Sequence, residues 1–107
     1  MNARPQIGEI WFADLGLAAK SRPVLVLAVP EDTDAHSLFI VAPLTSQIRR
    51  MRGEVDLGKP RWLPKPSAVN VQGLSSFDDS KLVRRMGALS KAEMERIKAV
   101  LCDLLRL

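Results

Sequence analysis

The sequence holds one cysteine, one histidine and no tyrosine among its 107 residues. With Cys102 alone there is no intrachain disulfide, which suits a reducing compartment. Cys102 and His36 together cannot supply a Cys/His zinc constellation within one chain. Long apolar runs are missing too. The longest uncharged stretch runs from Ala35 to Ile48 and is broken by Pro43, short of the roughly 18 apolar residues a spanning helix needs. The opening Met-Asn-Ala-Arg-Pro-Gln leads into no apolar core of a signal peptide. The expectation is a cytoplasmic protein that neither enters a membrane nor depends on a metal or cofactor. A chain of this length makes a single domain spanning residues 1–107.

What is present in quantity is positive charge, and it is uneven. The net charge is +4. Residues 1–48 are net acidic, whereas residues 49–65 carry Arg49, Arg50, Arg52, Lys59, Arg61 and Lys65 against only Glu54 and Asp56. Trp62 lies inside that basic stretch, and Arg84–Arg85 form a second basic pair. Cations interleaved with an aromatic suit a phosphate backbone with a stacked base. A solvated loop with Trp62 lying on the protein wall fits the same residues.

Hydrophobic periodicity predicts short strands and one helix. Ile7–Ala13, the buried runs Pro23–Val29 and Leu38–Leu44, the alternating Glu54–Leu57 and Ala68–Leu74, and Leu82–Leu89 read as strands. Pro43 predicts a bend or an edge near the end of its strand. Pro60, Pro64 and Pro66 exclude a helix between them, and Ser75–Ser80 reads as polar turn. From Ser90 the period changes. Ser90 and Glu93 form a capping box, and Met94, Ile97, Leu101, Leu104 and Leu105 recur on one helical face. Cys102 falls in this helix, where a small buried thiol is the ordinary reading. The pattern is β-rich α+β, a small β-barrel carrying a C-terminal amphipathic helix.

One phosphate-binding motif is a decoy. Gly53 to Lys59 matches the start of a P-loop, but Pro60 occupies the position of the Mg²⁺-binding hydroxyl, and Glu54 and Asp56 put anions where phosphates would lie. Two small features are more useful. Arg22 stands immediately before a buried strand, its backbone restricted by Pro23, and Thr45–Ser46 follow the next buried strand. If those strands are neighbours, a guanidinium and two hydroxyls converge at one rim, a setting for a phosphate or a phosphorane.

Taken in order, these segments resemble the PemK/MazF toxins of bacterial toxin–antitoxin pairs. The resemblance runs through Gly8-Glu-Ile-Trp11, Ser21-Arg22-Pro23-Val-Leu-Val, Pro43-Leu-Thr45-Ser46, Arg52-Gly53-Glu-Val, Ala68-Val-Asn-Val-Gln72 and Met86-Gly-Ala-Leu-Ser90. It is nearest to members with a stretch like Lys59-Pro-Arg-Trp-Leu-Pro-Lys-Pro66. It implies an SH3-like barrel of the CcdB/MazF kind that forms a homodimer. It also implies a metal-independent endoribonuclease held in check by a cognate antitoxin.

In that family the 2′-hydroxyl of single-stranded RNA attacks the adjacent phosphate, leaving a 2′,3′-cyclic phosphate and a 5′-hydroxyl. The resemblance assigns Arg22 and Thr45 as catalytic, with Ser46 assisting. Lys20, Arg49, Arg50, Arg52, Lys59, Arg61, Trp62, Lys65 and Gln72 are the expected RNA contacts. Two departures are specific to this chain: Val71 stands where the family has Asp before Gln72, and the loop Leu17-Ala-Ala-Lys20 before Arg22 is short. Arginine is too weak an acid to serve as a base at neutral pH, so the base stays open among His36, Glu9, Asp14 and Asp78. Other readings of these residues are a non-catalytic SH3-like RNA-binding module, a structural dimerisation domain, and a CcdB-like gyrase poison. The last requires a Trp near the final residues, where this sequence has Leu104-Leu-Arg-Leu107.

Overall fold

The computed structural model describes residues 4–16 and 21–107. Seven strands and one helix follow in order: β1 (Glu9–Ala13), β2 (Arg22–Ala28), β3 (Phe39–Thr45), β4 (Glu54–Gly58), β5 (Ser67–Asn70), β6 (Ser75–Phe77), β7 (Leu82–Ala88) and α1 (Lys91–Leu105). The strands form one antiparallel, barrel-like sheet in the order β4-β5-β3-β2-β1-β7, with β6 pairing to β3. The expected α+β architecture is the one observed. Among the described residues no helix is long and apolar enough to cross a membrane.

The two apolar runs become the centre of the sheet. Val24, Leu25 and Val26 of β2 are buried, as are Val41, Ala42 and Leu44 of β3. Alternation sends Leu25 and Leu44 into one cluster with Ile10, Val55, Leu63, Val69 and Ile97, and sends Val24, Val26 and Val41 into another with Trp11, Ala13 and Phe39. Pro43 is not at an edge. It sits where the far side of β3 changes partner, from β6 at Phe39–Val41 to β5 at Leu44–Thr45, so its missing N–H falls between two ladders.

The helix begins as the sequence specifies. The Ser90 hydroxyl accepts from the Glu93 amide, and the Glu93 carboxylate accepts from the Ser90 amide. Ile97 is fully buried and Met94, Leu101 and Leu104 pack around it. Cys102 is exposed, contrary to the buried-thiol expectation, because it lies one residue, about 100° of helical turn, past Leu101 and off the buried stripe.

Two other segments differ from expectation. The alternation after Ala68 does not carry a strand to Leu74: β5 stops at Asn70 and Val71–Gly73 form a 3₁₀ turn. Gly73 is needed there, since a Cβ would come within 2.9 Å of Pro43 Cγ. Ser75–Phe77, read as turn, is instead strand β6. The P-loop-like Gly53–Lys59 contains strand β4 with no helix after it, as its rejection requires.

Candidate active site

Register brings the candidate catalytic residues together. Val24 pairs with Pro43, and Arg22, the first residue of β2, and Thr45, the last residue of β3, each lie two residues beyond that pair, at the same end of the two strands. Both residues line a cleft of about 480 Å³ at this end of the sheet, with Ser21, Ser46, Gln47, Lys65 and Ser67 supplying further polar groups and Pro23, Leu44, Leu63 and Pro64 an apolar floor. Because Arg22 and Thr45 terminate their strands, the cleft opens at the rim of the sheet, where side chains of either face can reach it.

The electrostatics favour an anion. Arg22 is half-buried and makes no ion pair among the described residues, so its guanidinium retains its donors for a ligand. Lys65 adds a second cation. The Thr45 hydroxyl oxygen accepts from the Gln47 amide at 3.1 Å, which fixes its rotamer and leaves its proton to donate. Ser67, buried with Oγ donating to the Lys65 carbonyl at 3.1 Å, fastens the proline-rich strap on which Lys65 rides. Sequence reasoning missed Gln47 and Ser67. Their one signal is position, directly after Thr45–Ser46 and directly after Pro66.

The four candidate bases separate cleanly. His36 is exposed in the turn between β2 and β3, at the opposite end of those strands from Arg22 and about 20 Å away by strand rise. Glu9 is at the far end of β1 and is fully engaged. It accepts from the Trp11 indole (3.0 Å), the Gln6 amide (2.8 Å) and Arg85 (2.6 Å). Partial burial works to raise its pKa, but these donors outweigh it and hold the carboxyl below the usual range. Asp78 caps the 3₁₀ turn at Asp79–Lys81 by accepting from Ser80, which lowers its pKa. Only Asp14 touches a cleft residue: its Oδ1 accepts from the Gly16 amide (3.1 Å) and the Ser21 hydroxyl (3.4 Å).

The expected RNA contacts do not form one patch. Lys65 is in the cleft, and Arg49 and Arg50 follow on the loop that leaves it, their amides donating to Glu54. Arg50 also pairs with Asp56 at 3.6 Å. Lys59 and Arg61 are exposed on the strap. Arg52 is bound to Asp103 of α1 at 2.9 Å, and with Gln72 it lines a separate groove of about 270 Å³ against Leu101, Leu104 and Leu105. Trp62 covers Gly87 of β7 so closely that a Cβ there would lie 2.5 Å from the indole Cγ, and it packs on the core. One face of that ring is therefore closed to a base. Lys20 lies outside the described residues. Among the described residues no group of three or more His, Cys, Asp or Glu gathers as a metal site.

Residues 6–105 match the family model described as PemK-like, MazF-like toxin of type II toxin–antitoxin system. The chain is 34% identical over 100 residues to the probable endoribonuclease MazF5 of Mycobacterium tuberculosis, covering 91% of this chain and 89% of that protein. It is 33% identical over 98 residues to endoribonuclease MazF6 of the same organism, covering 83% and 86%. Among solved structures, the Mycobacterium tuberculosis toxin MazF-mt6 superposes with a TM-score of 0.78 at 25% identity, covering 92% of this chain and 97% of that one. A mycobacterial endoribonuclease in complex with its cognate antitoxin superposes at 0.81 with 22% identity, covering 97% of each chain.

Proposed function

We propose, from the premise that this chain belongs to the PemK-like, MazF-like toxin family of type II toxin–antitoxin systems, that it is an endoribonuclease whose reaction centre is the cleft of Arg22 and Thr45. The observation that carries the reading is the convergence of these two residues, distant in sequence, on one cleft with Ser46 and Lys65, the Arg22 guanidinium making no ion pair among the described residues.

Single-stranded RNA enters with a phosphate between Arg22 and Thr45. The 2′-oxygen attacks phosphorus, the new 2′-O–P bond forms, and the bond from phosphorus to the 5′-oxygen breaks. A 2′,3′-cyclic phosphate results, together with a 5′-hydroxyl once the leaving 5′-oxygen takes a proton from water. Charge grows on the non-bridging oxygens as the phosphorane forms, and donors already aimed there stabilise it more than the ground state. Arg22 donates to those oxygens, the Thr45 hydroxyl donates to one of them, and Ser46 assists. The 2′-hydroxyl proton passes to a general base, for which Asp14, whose Oδ1 accepts from the cleft residue Ser21, is the candidate. DNA lacks the attacking group and is spared.

Lys65, Arg49, Arg50, Lys59 and Arg61 hold phosphates on either side of the cut, a salt-sensitive contribution. The protein acts as a homodimer, and its antitoxin neutralises it by laying an acidic segment over this cationic rim. Support for that partner comes from the family's description and from the structural neighbour in complex with its cognate antitoxin.

The test is cleavage of a long single-stranded RNA by the purified protein beside Arg22→Ala and Thr45→Ala. Losing one preorganised donor costs about 100- to 1,000-fold in rate, so each variant should fall by at least that factor while its melting temperature holds. Cleavage at the wild-type rate by a folded R22A protein would remove the cleft from the mechanism.

A further inference from the structure

The apolar floor of the cleft continues past Pro23. Pro23 pairs with Phe12 of β1, and Phe12 pairs on its other side with Arg84 of the edge strand β7. Cross-strand partners share a face, so Leu44, Pro23, Phe12 and Arg84 form one row that leaves the cleft and climbs to the sheet edge. Strand spacing sets Phe12 one strand, and Arg84 two strands or about 10 Å, from the backbone that carries Arg22.

The two adjacent arginines of β7 behave differently. Arg85 points to the other face and is neutralised by Glu9 at 2.6 Å. Arg84 is exposed, has no carboxylate partner among the described residues, and holds its Cζ 5.4 Å from the centroid of the Phe12 ring. A guanidinium backed by an aromatic ring is held by cation–π attraction, while its outer plane stays open. Unpaired RNA bases stack on such planes.

We propose that Arg84, backed by Phe12, is a stacking subsite for an unpaired nucleobase of the RNA, beside the nucleotide whose phosphate is cut. The proposal rests on the cleft being the RNA site. Arg84 is a binding and specificity residue, not a catalytic one. The stack holds the strand in place by its base while Arg22 and Thr45 act on its phosphate. Stacking is tolerant of base identity but favours purines by contact area, so Arg84 tunes which cut sites are used as well as how tightly RNA binds.

The experiment measures affinity for a single-stranded RNA oligonucleotide in the cleavage-dead R22A background, comparing Arg84, Arg84→Lys and Arg84→Ala. Each is assayed with an intact strand and with strands made abasic at single positions flanking the cut. Cut-site profiles of Arg84→Lys and Arg84→Ala with Arg22 intact are mapped alongside. Stacking of this kind is worth about 5- to 150-fold in affinity. The expected result is a loss of that order in both variants, since lysine keeps the charge but not the plane. One abasic position should weaken binding to Arg84 yet leave the R84A protein unaffected, and the cut-site profile should shift. Full affinity in Arg84→Lys, or equal sensitivity of all three proteins to every abasic position, would overturn the stacking subsite while leaving the cleft intact. A wild-type protein that neither binds nor cuts RNA would overturn both.

Discussion

Gly87 and Trp62 form the contact on which the strap over the barrel depends, and the pair can be tested as a unit. Gly87 is buried and does not have a left-handed backbone, so nothing in its backbone forbids alanine. The obstacle is the indole, which leaves no room for a methyl group. Gly87→Ala must displace a rigid ring, and overpacking of this kind costs about 1–3 kcal/mol or somewhat more. Removing the ring costs a comparable amount. A half-buried Trp withdraws roughly 100 Å² of apolar surface from water, about 2.5 kcal/mol at 25 cal/mol per Å². In the W62A background, however, the three atoms nearest that methyl are gone, and the second substitution should cost under about 0.5 kcal/mol. The coupling is therefore about 0.5–3 kcal/mol. At about 4–5 °C per kcal/mol for a chain this size, Gly87→Ala lowers Tm by about 5–15 °C, and the double variant melts close to Trp62→Ala. Thermal and urea melts of all four proteins give the cycle. Additive losses, or a Gly87→Ala protein as stable as its parent, would refute the contact.

The Glu9 carboxyl, half-buried and held low by Trp11, Gln6 and Arg85, contributes stability that is present above its unfolded pKa and lost as pH falls through its lower folded value. Glu9→Gln should cost about 1–2 kcal/mol near neutrality and flatten the acid limb of the stability–pH curve below about pH 4.5, as urea melts between pH 3 and pH 7 will show. Ser90→Ala removes one half of the α1 capping box and should cost about 1 kcal/mol, read as a Tm drop of about 4–5 °C; an unchanged Tm would mean that packing at Ile97 alone fixes the helix start. Breaking the Arg52–Asp103 pair, exposed on both sides, should change stability by less than about 1 kcal/mol.

Much of the scaffold is legible in the sequence because it is written in local terms. Pro23–Val29 and Leu38–Leu44 are continuous apolar runs, rich in β-branched residues and bounded by polar turns, that suit a strand, and Ser90 with Glu93 announces α1. What escapes is set by tertiary contact. The alternation from Ala68 to Leu74 suits a strand, but packing under Pro43 turns it at Val71. Ser75–Phe77 is polar enough for a turn, and only backbone pairing with β3 makes it a strand. Cys102 was legible in principle, because the helical stripe already named excludes its position. The site divides the same way. Arg22 and Thr45 are individually uninformative, and it is the antiparallel pairing of β2 with β3 that brings the start of one and the end of the other to the same cleft. The basic run 49–65 reads as one patch, whereas the fold turns Arg52 toward α1, seats Trp62 on Gly87 and leaves Lys65 in the cleft. The Phe12–Arg84 stack joins residues of two strands that no sequence window spans.

The central claim is that this cleft cuts RNA with the RNA's own 2′-hydroxyl. The most direct measurement maps the cut site on a single-stranded RNA in excess EDTA, identifies both new ends, and repeats the reaction with a 2′-deoxy nucleotide placed just 5′ of the cut phosphate. The account predicts a 2′,3′-cyclic phosphate and a 5′-hydroxyl, full activity in the chelator, and an uncut bond at the deoxy position. A 5′-phosphate end, or cleavage at the 2′-deoxy position, would contradict it.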